Sequence, residues 1–242
     1  MPPRPFSHPL ALERLADALE PVPKVFAAAV AIATHHEPQL KPQPLYDFVE
    51  RMAADARHML AHDSSPIGTL KHIMFHRHGF AGNHRSYSDP FNSYIDVVLA
   101  RRRGLPILLS LIYAEVARRA GTTTHGIGLP GHFVVAVDDV AGTRHYVDVF
   151  NQGRELSADD CKQIALANSQ FWGDAFLTPV TPQAWILRIL NNLQNTYTQM
   201  GDTANAAAVV EQILVVDPAN QTARRQLAEW YAQIDRLQAR DN

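Results

Sequence analysis

The sequence predicts an α+β fold that is followed by a helical tail. Three observations support this prediction. Apolar residues recur at helical spacing between prolines over residues 10–120, short β-rich runs follow over 122–150, and helical spacing returns from Gln183 onward. A chain of 242 residues is long enough for one large or two small domains, and we predict two, at 1–178 and 179–242.

The bulk composition argues against several classes of protein. A formal net charge of −2 with 46% hydrophobic residues lacks the basic surface of a nucleic-acid-binding protein. No run approaches the ~18 uninterrupted apolar residues of a membrane span, and the N-terminal residues lack the apolar core of a signal peptide. Cys161 is the single cysteine, so no intramolecular disulfide can form. We therefore expect a cytoplasmic protein.

Proline and glycine delimit the helices of the first half. Pro21 and Pro23 end the first helix. Ser65 and Pro66 supply the N-cap and first turn of another helix, and Gly121 supplies a C-terminal stop. The predicted helices are 10–19, 25–34, 45–60, 66–78, 93–102 and 106–120.

After residue 121 the pattern changes to β-rich runs. The predicted strands are 122–129, 133–137 and 144–150, with a turn at 138–142. Ser157 and Asp160 then indicate the start of a helix that carries Cys161. The polar segment 79–92 is predicted to be a long loop, and loops of that length are often functional.

The tail has the spacing of a tetratricopeptide repeat. The matching positions are Leu190, Leu193, Tyr197, Gly201, Ala206, Val210, Ile213 and Pro218. A solenoid needs about three repeats to stand alone, and this tail holds about one and a half. It must therefore pack on the preceding domain, on a second copy, or on a partner. A helical cap and a peptide-binding groove both stay open, and we expect a protein or peptide partner to bind through 183–242.

A possible catalytic arrangement with one member missing follows the loop. The run Arg101 to Pro106 leads into an apolar helix, whose N-terminus would stabilise a thiolate. His132 directly precedes one predicted strand and Asp148 lies in the next. A histidine with a carboxylate behind it is what a general base requires, but no cysteine stands at the helix start.

The register of the predicted hairpin decides whether the two side chains meet. If residues 138–142 form the turn, Val137 pairs with Thr143 and His132 lies opposite Asp148. Directly opposed side chains have Cβ atoms ~5 Å apart. A shift of one residue would send them to opposite faces of the sheet.

These motifs together resemble the bacterial transglutaminase-like proteins with tetratricopeptide tails, the SirB-type invasion-regulator homologues. The resemblance covers residues 45–242 and rests on motifs that occur in order: Asn92-Ser93, Arg102-Arg103-Gly104-Leu105-Pro106, Gly128-Leu129-Pro130-Gly131-His132-Phe133 and Asp148-Val149-Phe150-Asn151. It implies a papain-like α+β core with a Cys-His-Asp triad, in which His132 and Asp148 match the last two members. The cysteine position falls at or beside Pro106, which implies that acyl transfer is lost or much reduced.

Two other residues could supply a nucleophile. Ser110 lies one helical turn after Pro106, and Cys161 could be brought near by folding. Their alternative roles are a small packing residue and a buried hydrophobe, respectively. His132 and Asp148 could likewise form a structural hydrogen bond or contact a ligand.

Three functions therefore stay open. The first is a non-catalytic regulator or adaptor that acts through protein contacts. The second is a hydrolase or acyltransferase on amide or ester bonds, with Ser110 or Cys161 as nucleophile beside His132 and Asp148. The third is a cleft that binds a small molecule or peptide terminus without chemistry.

The sequence points to no cofactor. Gly126, Gly128 and Gly131 lack the following helix of a phosphate-binding loop. His72 and His76 are four residues apart, with His78 and His84 nearby, but no carboxylate at fixed spacing supports a metal site, and a solvated helix face is the expected role.

Overall fold

A computed structural model describes residues 6–62, 65–139 and 142–238, and it forms two compact units. One unit is Lys41–Thr181, and the other joins Met1–Leu40 to Pro182–Asn242. The predicted domains placed residues 1–40 with the core, whereas in the structure they group with the tail, because helices from both ends of the chain pack together. Residues 140 and 141 of the predicted turn lie outside the described residues.

Helices make up most of the described chain. The α-helices are α1 (Pro9–Leu19), α2 (Val25–His36), α3 (Gln43–Leu60), α4 (Pro66–Lys71), α5 (Ile95–Arg101), α6 (Pro106–Arg119), α7 (Ala158–Leu166), α8 (Pro182–Met200), α9 (Thr203–Val216) and α10 (Gln221–Gln238). A π-helix at His72–Arg77 continues α4, and short 3-10 helices lie at Pro90–Ser93 and Asp174–Leu177. No described helix is long and apolar enough to cross a membrane.

Two small sheets lie in the unit of residues 41–181. The strands are β1 (Ala81–Gly82), β2 (Arg103–Gly104), β3 (Thr124–Ile127), β4 (Val134–Asp138), β5 (Arg144–Asp148) and β6 (Arg154–Leu156). The parallel β1 and β2 form one sheet, and the antiparallel order β3-β4-β5-β6 forms the other. This mixture of helices and sheets is the α+β class that the sequence predicts.

The four-stranded sheet is covered on both faces. Successive strand residues point to opposite faces, and Val134 through Val137 are all buried. Val134 and Ala136 pack in an apolar cluster with Cys161 of α7, and α6 packs against β3 and β4. Trp172 and Phe176, from the segment after α7, pack against the same cluster.

Several helix ends follow their predicted caps. Ser65 accepts the Gly68 N–H at the start of α4, and Ser157 and Asp160 form a reciprocal capping box on α7. The predicted helix 66–78 is correct in extent but changes its hydrogen bonding after Lys71, where the π-helix begins. That change, and the short β6, were not predicted.

The unit formed by the two chain ends contains only helices within its described residues. α1 packs against α2 and α9, α8 against α2 and α9, and α9 against α10. The apolar tail positions predicted from repeat spacing are buried here: Leu190, Leu193, Tyr197, Ala206, Val210 and Ile213. Burial of these positions is also what a plain helical hairpin requires, so the tetratricopeptide assignment stays a prediction.

Candidate functional site

His132 and Asp148 meet at one end of the β4–β5 hairpin. His132 Nε2 lies 3.0 Å from Asp148 Oδ2, with 13% and 3% of the two side chains exposed. Gly131, with φ 68°, makes the turn before His132, whose N–H donates to the Leu129 carbonyl at 3.2 Å. The pairing of the two side chains is therefore as the sequence predicts.

The register that produces this pairing differs from the predicted one. Val137 pairs with His145, not with Thr143, and Asp138 pairs with Arg144. The turn holds five residues as predicted but begins one residue later, so each partner on β5 lies two positions further along. Because the side-chain period of a strand is two, this shift keeps His132 and Asp148 on the same face.

The Asp148 carboxylate is oriented by the turn that follows β5. The Asn151 N–H donates to Oδ1 at 3.2 Å and its side-chain amide donates to Oδ2 at 2.7 Å. Burial alone would raise the pKa of Asp148, but the hydrogen bond and charge of His132 and the two bonds from Asn151 outweigh burial and lower this pKa. Asp148 is thus an ionised, fixed partner for the imidazole.

Phe150 connects this pair to the loop that the sequence singled out. Its ring meets the ring of His132 edge-on at 6.1 Å between centroids and lies 4.4 Å from that of His84. The Gly82 N–H donates to the Phe150 carbonyl at 3.2 Å, and a Cβ atom at Gly82 would lie 2.6 Å from the Phe150 ring. Only glycine permits this close approach.

The same loop holds the start of α6. The Asn83 N–H donates to the Gly104 carbonyl, and the Leu105 N–H donates to the Asn92 carbonyl, both at 3.2 Å. The side chains of Asn83 and Asn92 bond each other at 2.8 Å. Phe150 and the loop therefore connect the His132 turn to the residues immediately before Pro106.

Pro106 is the first residue of α6, and the resemblance places a catalytic cysteine at or beside it. Proline has neither a nucleophilic side chain nor a backbone N–H. This position can therefore neither attack a carbonyl carbon nor donate a backbone hydrogen bond to an oxyanion.

The two alternative nucleophiles lie in unsuitable surroundings. Ser110 is buried. Its hydroxyl makes no hydrogen bond to His132 or to any other described residue. Cys161 is buried in the apolar cluster, and burial, with the charges of Asp160 and Asp148, raises the pKa of its thiol to about 11. A thiol with that pKa is almost wholly protonated at neutral pH and is a weak nucleophile.

The four histidines near the loop do not form one cluster. The rings of His72 and His76 lie 5.9 Å apart, whereas the ring of His78 meets Phe48 edge-on at 5.4 Å and that of His84 lies on Phe150. Burial, with the positive charge of Arg102, lowers the pKa of His78. Over the described residues, no group of three or more His, Cys, Asp or Glu side chains could hold a metal ion.

The arginine run before α6 holds the loop in place. Arg101 pairs with Asp89 at 3.2 Å, and the Arg102 guanidinium lies 4.2 Å from the Phe48 ring centroid. Arg103 donates to the Gly79 carbonyl at 2.7 Å. Arg102 also has a left-handed φ of 58°, which no local pattern indicates.

Comparison with known proteins places most of the chain in one family. Residues 44–191 match the family model described as transglutaminase-like superfamily. A UPF0162 protein of Xylella fastidiosa is 34% identical over 69% of this chain, which spans 62% of that relative's length. A UPF0162 protein of Pseudomonas aeruginosa is 26% identical over 92% of this chain and 82% of the relative.

A more distant match is to a much larger protein. Mouse F-box only protein 21 is 29% identical over 42% of this chain and 17% of its own length. No solved structure matches the chain.

Proposed function

Because the chain belongs to the transglutaminase-like superfamily and begins α6 with proline, we propose that it is a non-catalytic member that acts through protein contacts, as a regulator or adaptor. Pro106 is the observation that carries the proposal, because it removes the nucleophile from the position that His132 would serve. The buried, protonated Cys161 supports the same view. The SirB-type assignment, the tetratricopeptide tail, partner binding through 183–242 and a cytoplasmic location are parts of this proposal.

The first test asks whether the chain lacks only the nucleophile or also the surroundings that would activate one. We expect no turnover of thioester, ester or amide acyl donors by the wild-type chain. In Pro106→Cys we expect a new thiol that reacts with iodoacetamide at pH 6, because a helix N-terminus lowers a thiol pKa and because the proposal makes His132 the base that serves this position. The control is Pro106→Cys with His132→Ala, in which this reaction should slow by about tenfold or more.

The alternative is a serine hydrolase, and the intact His132–Asp148 pair is the observation that favours it. It predicts that a fluorophosphonate probe labels Ser110 in the folded wild-type chain and that His132→Ala abolishes the labelling. That result would overturn the non-catalytic proposal. Labelling of Cys161 by an acylating probe, with the same dependence on His132, would also overturn it.

A further inference from the structure

Side chains of the helical unit hold the short segment Phe6–His8 by its backbone N–H groups. The Phe6 N–H donates to Glu211 Oε1 at 3.1 Å, and the Ser7 N–H donates to Glu211 Oε2 at 2.6 Å. The next N–H, of His8, donates to His35 Nδ1 at 3.3 Å. Three consecutive N–H groups are therefore received by acceptors from α9 and α2.

The acceptors are themselves fixed in place. Because Nδ1 of His35 accepts a hydrogen bond, its proton lies on Nε2, which donates to Asn205 Oδ1 at 3.1 Å. The amide of Asn205 is oriented in turn by its bond to Asp202 Oδ2 at 2.7 Å. Glu211 is 8% exposed and also accepts a hydrogen bond from the Tyr231 hydroxyl of α10.

Two side-chain contacts add selectivity to the backbone contacts. The rings of Phe6 and Tyr231 lie 4.8 Å apart between centroids. Ser7 Oγ accepts a hydrogen bond at 3.2 Å from Gln212 Nε2, and both side chains are buried, with Gln212 1% exposed. The site thus fits an aromatic residue followed by a small residue with a hydroxyl group.

We propose that α2, α9 and α10 form a peptide-binding site for a short segment with an aromatic residue followed by a small hydroxylated residue. Phe6–His8 is its built-in occupant, and a partner segment of the same chemistry replaces it. The inference rests on the proposed function, since it names the kind of segment that the tail binds. Acceptors for backbone N–H groups receive any non-proline segment, so the site is not restricted to this chain's own residues.

The built-in occupant sets the affinity for a partner. A tethered segment competes at an effective concentration of about millimolar. A peptide in solution should therefore bind the wild-type chain weakly and bind much better once the tethered segment is weakened.

Hydrogen exchange on the full chain provides the first measurement. We expect the amides of residues 6–8 to exchange about tenfold or more slowly than an unstructured segment, because buried side chains hold them. Ser7→Pro removes one N–H and should abolish this protection. Ser7→Ala is the matched control, since it keeps the N–H and loses only the bond to Gln212.

The second measurement uses a labelled acetylated peptide with the sequence of residues 6–10. We expect it to bind the folded Ser7→Pro chain about tenfold or more tightly than wild type, because the tethered competitor is weakened. Adding Glu211→Gln to Ser7→Pro should return binding to the wild-type level. A peptide with proline in place of its serine should not bind.

Three results would overturn the proposal. One is that the amides of residues 6–8 in the wild-type chain exchange as fast as those of an unstructured segment. Another is a Ser7→Pro chain with native helix content that binds the peptide no more tightly than wild type does, or does not bind it. The third is a wild-type dimer in sedimentation that is lost in Ser7→Pro, which would make a second copy the occupant. None of these measurements depends on Pro106 or His132. Their failure would overturn the peptide-binding proposal alone, whereas turnover of an acyl donor would overturn the non-catalytic proposal.

Discussion

Two of the histidine–aspartate pairs of the four-stranded sheet have almost the same separation but lie in different surroundings. His132 and Asp148 are 3.0 Å apart with 13% and 3% of their side chains exposed. His125 and Asp138 are 2.9 Å apart with 31% and 24% exposed. Asp148 lies at the end of β5 and Asp138 at the end of β4, so the two antiparallel strands place the carboxylates at opposite ends of the hairpin.

The difference between the pairs lies in what else touches each carboxylate. The hydrogen bond from Arg144 is the main cause that lowers the pKa of Asp138, and this charged network is open to water. The pKa of Asp148 is lowered despite burial, by His132 and Asn151. The distance between the two side chains therefore does not distinguish a buried, oriented pair from a surface ion pair. The burial of the carboxylate and its other hydrogen-bond partners do.

Truncation of each carboxylate should give the largest contrast. We expect Asp148→Ala to lower the free energy of unfolding by about 3–5 kcal/mol, because it leaves buried polar groups of His132 and Asn151 without their acceptor. Asp138→Ala should cost less than about 1 kcal/mol. Urea unfolding at pH 7 measures both. Equal losses would show that burial does not separate the pairs, and Asp148→Asn, which keeps an acceptor oxygen, provides a milder variant.

Glycines at the two ends of the hairpin have left-handed backbones, but they differ in the space around them. Gly131 has φ 68°, and a Cβ atom there would lie 2.7 Å from Asn168 Cβ. Gly142 has φ 81° with nothing within 4 Å. We expect Gly142→Ala to cost about 1 kcal/mol for its left-handed backbone and Gly131→Ala about 2–3 kcal/mol, because overlap adds to the same cost.

Thermal or urea unfolding checks these two glycine variants. Asn168→Ala should restore part of the loss in Gly131→Ala, because it removes the outer atoms of the side chain that overlaps the new methyl group. Similar losses in both glycine variants, without rescue, would contradict the expected overlap.

Acid should remove the contribution of Asp148. Its folded-state pKa is lowered, so its stabilisation is present above the unfolded-state pKa of about 3.9 and is lost as the pH falls through the folded value. The stability difference between wild type and Asp148→Asn should therefore shrink as the pH falls below about 4. A difference that persists unchanged at pH 2 would contradict this linkage.

Salt should produce the smallest effect, and it should weaken the exposed Asp138 pair more than the buried Asp148 pair. At 1 M salt the Debye length is about 3 Å, so the exposed Asp138 network should lose a few tenths of a kcal/mol. The buried Asp148 pair should change less. The measurement is the loss in free energy of unfolding caused by Asp138→Asn and by Asp148→Asn, at low and at high salt. A loss that depends more strongly on salt at Asp148 than at Asp138 would contradict the expected screening.

Local sequence patterns were sufficient to predict most of the α-helices and the pairing of His132 with Asp148. Helical spacing, caps such as Ser157, and the change to β-rich runs are encoded within a few residues, so they can be recognised along the chain. The predicted register was wrong, because the turn begins one residue later. The pairing was still correct, because the strand period of two tolerates that error.

The surroundings of that pair depend on tertiary contacts. Asn151, Phe150 and the loop with Asn83 and Asn92 reach the site through long-range contacts that no local pattern specifies. The burial that raises the pKa of Cys161, and the grouping of residues 1–40 with the tail, likewise depend on which distant segments pack together. The physical reason is that burial and electrostatic environment are properties of packed surfaces, and residues far apart in sequence build those surfaces.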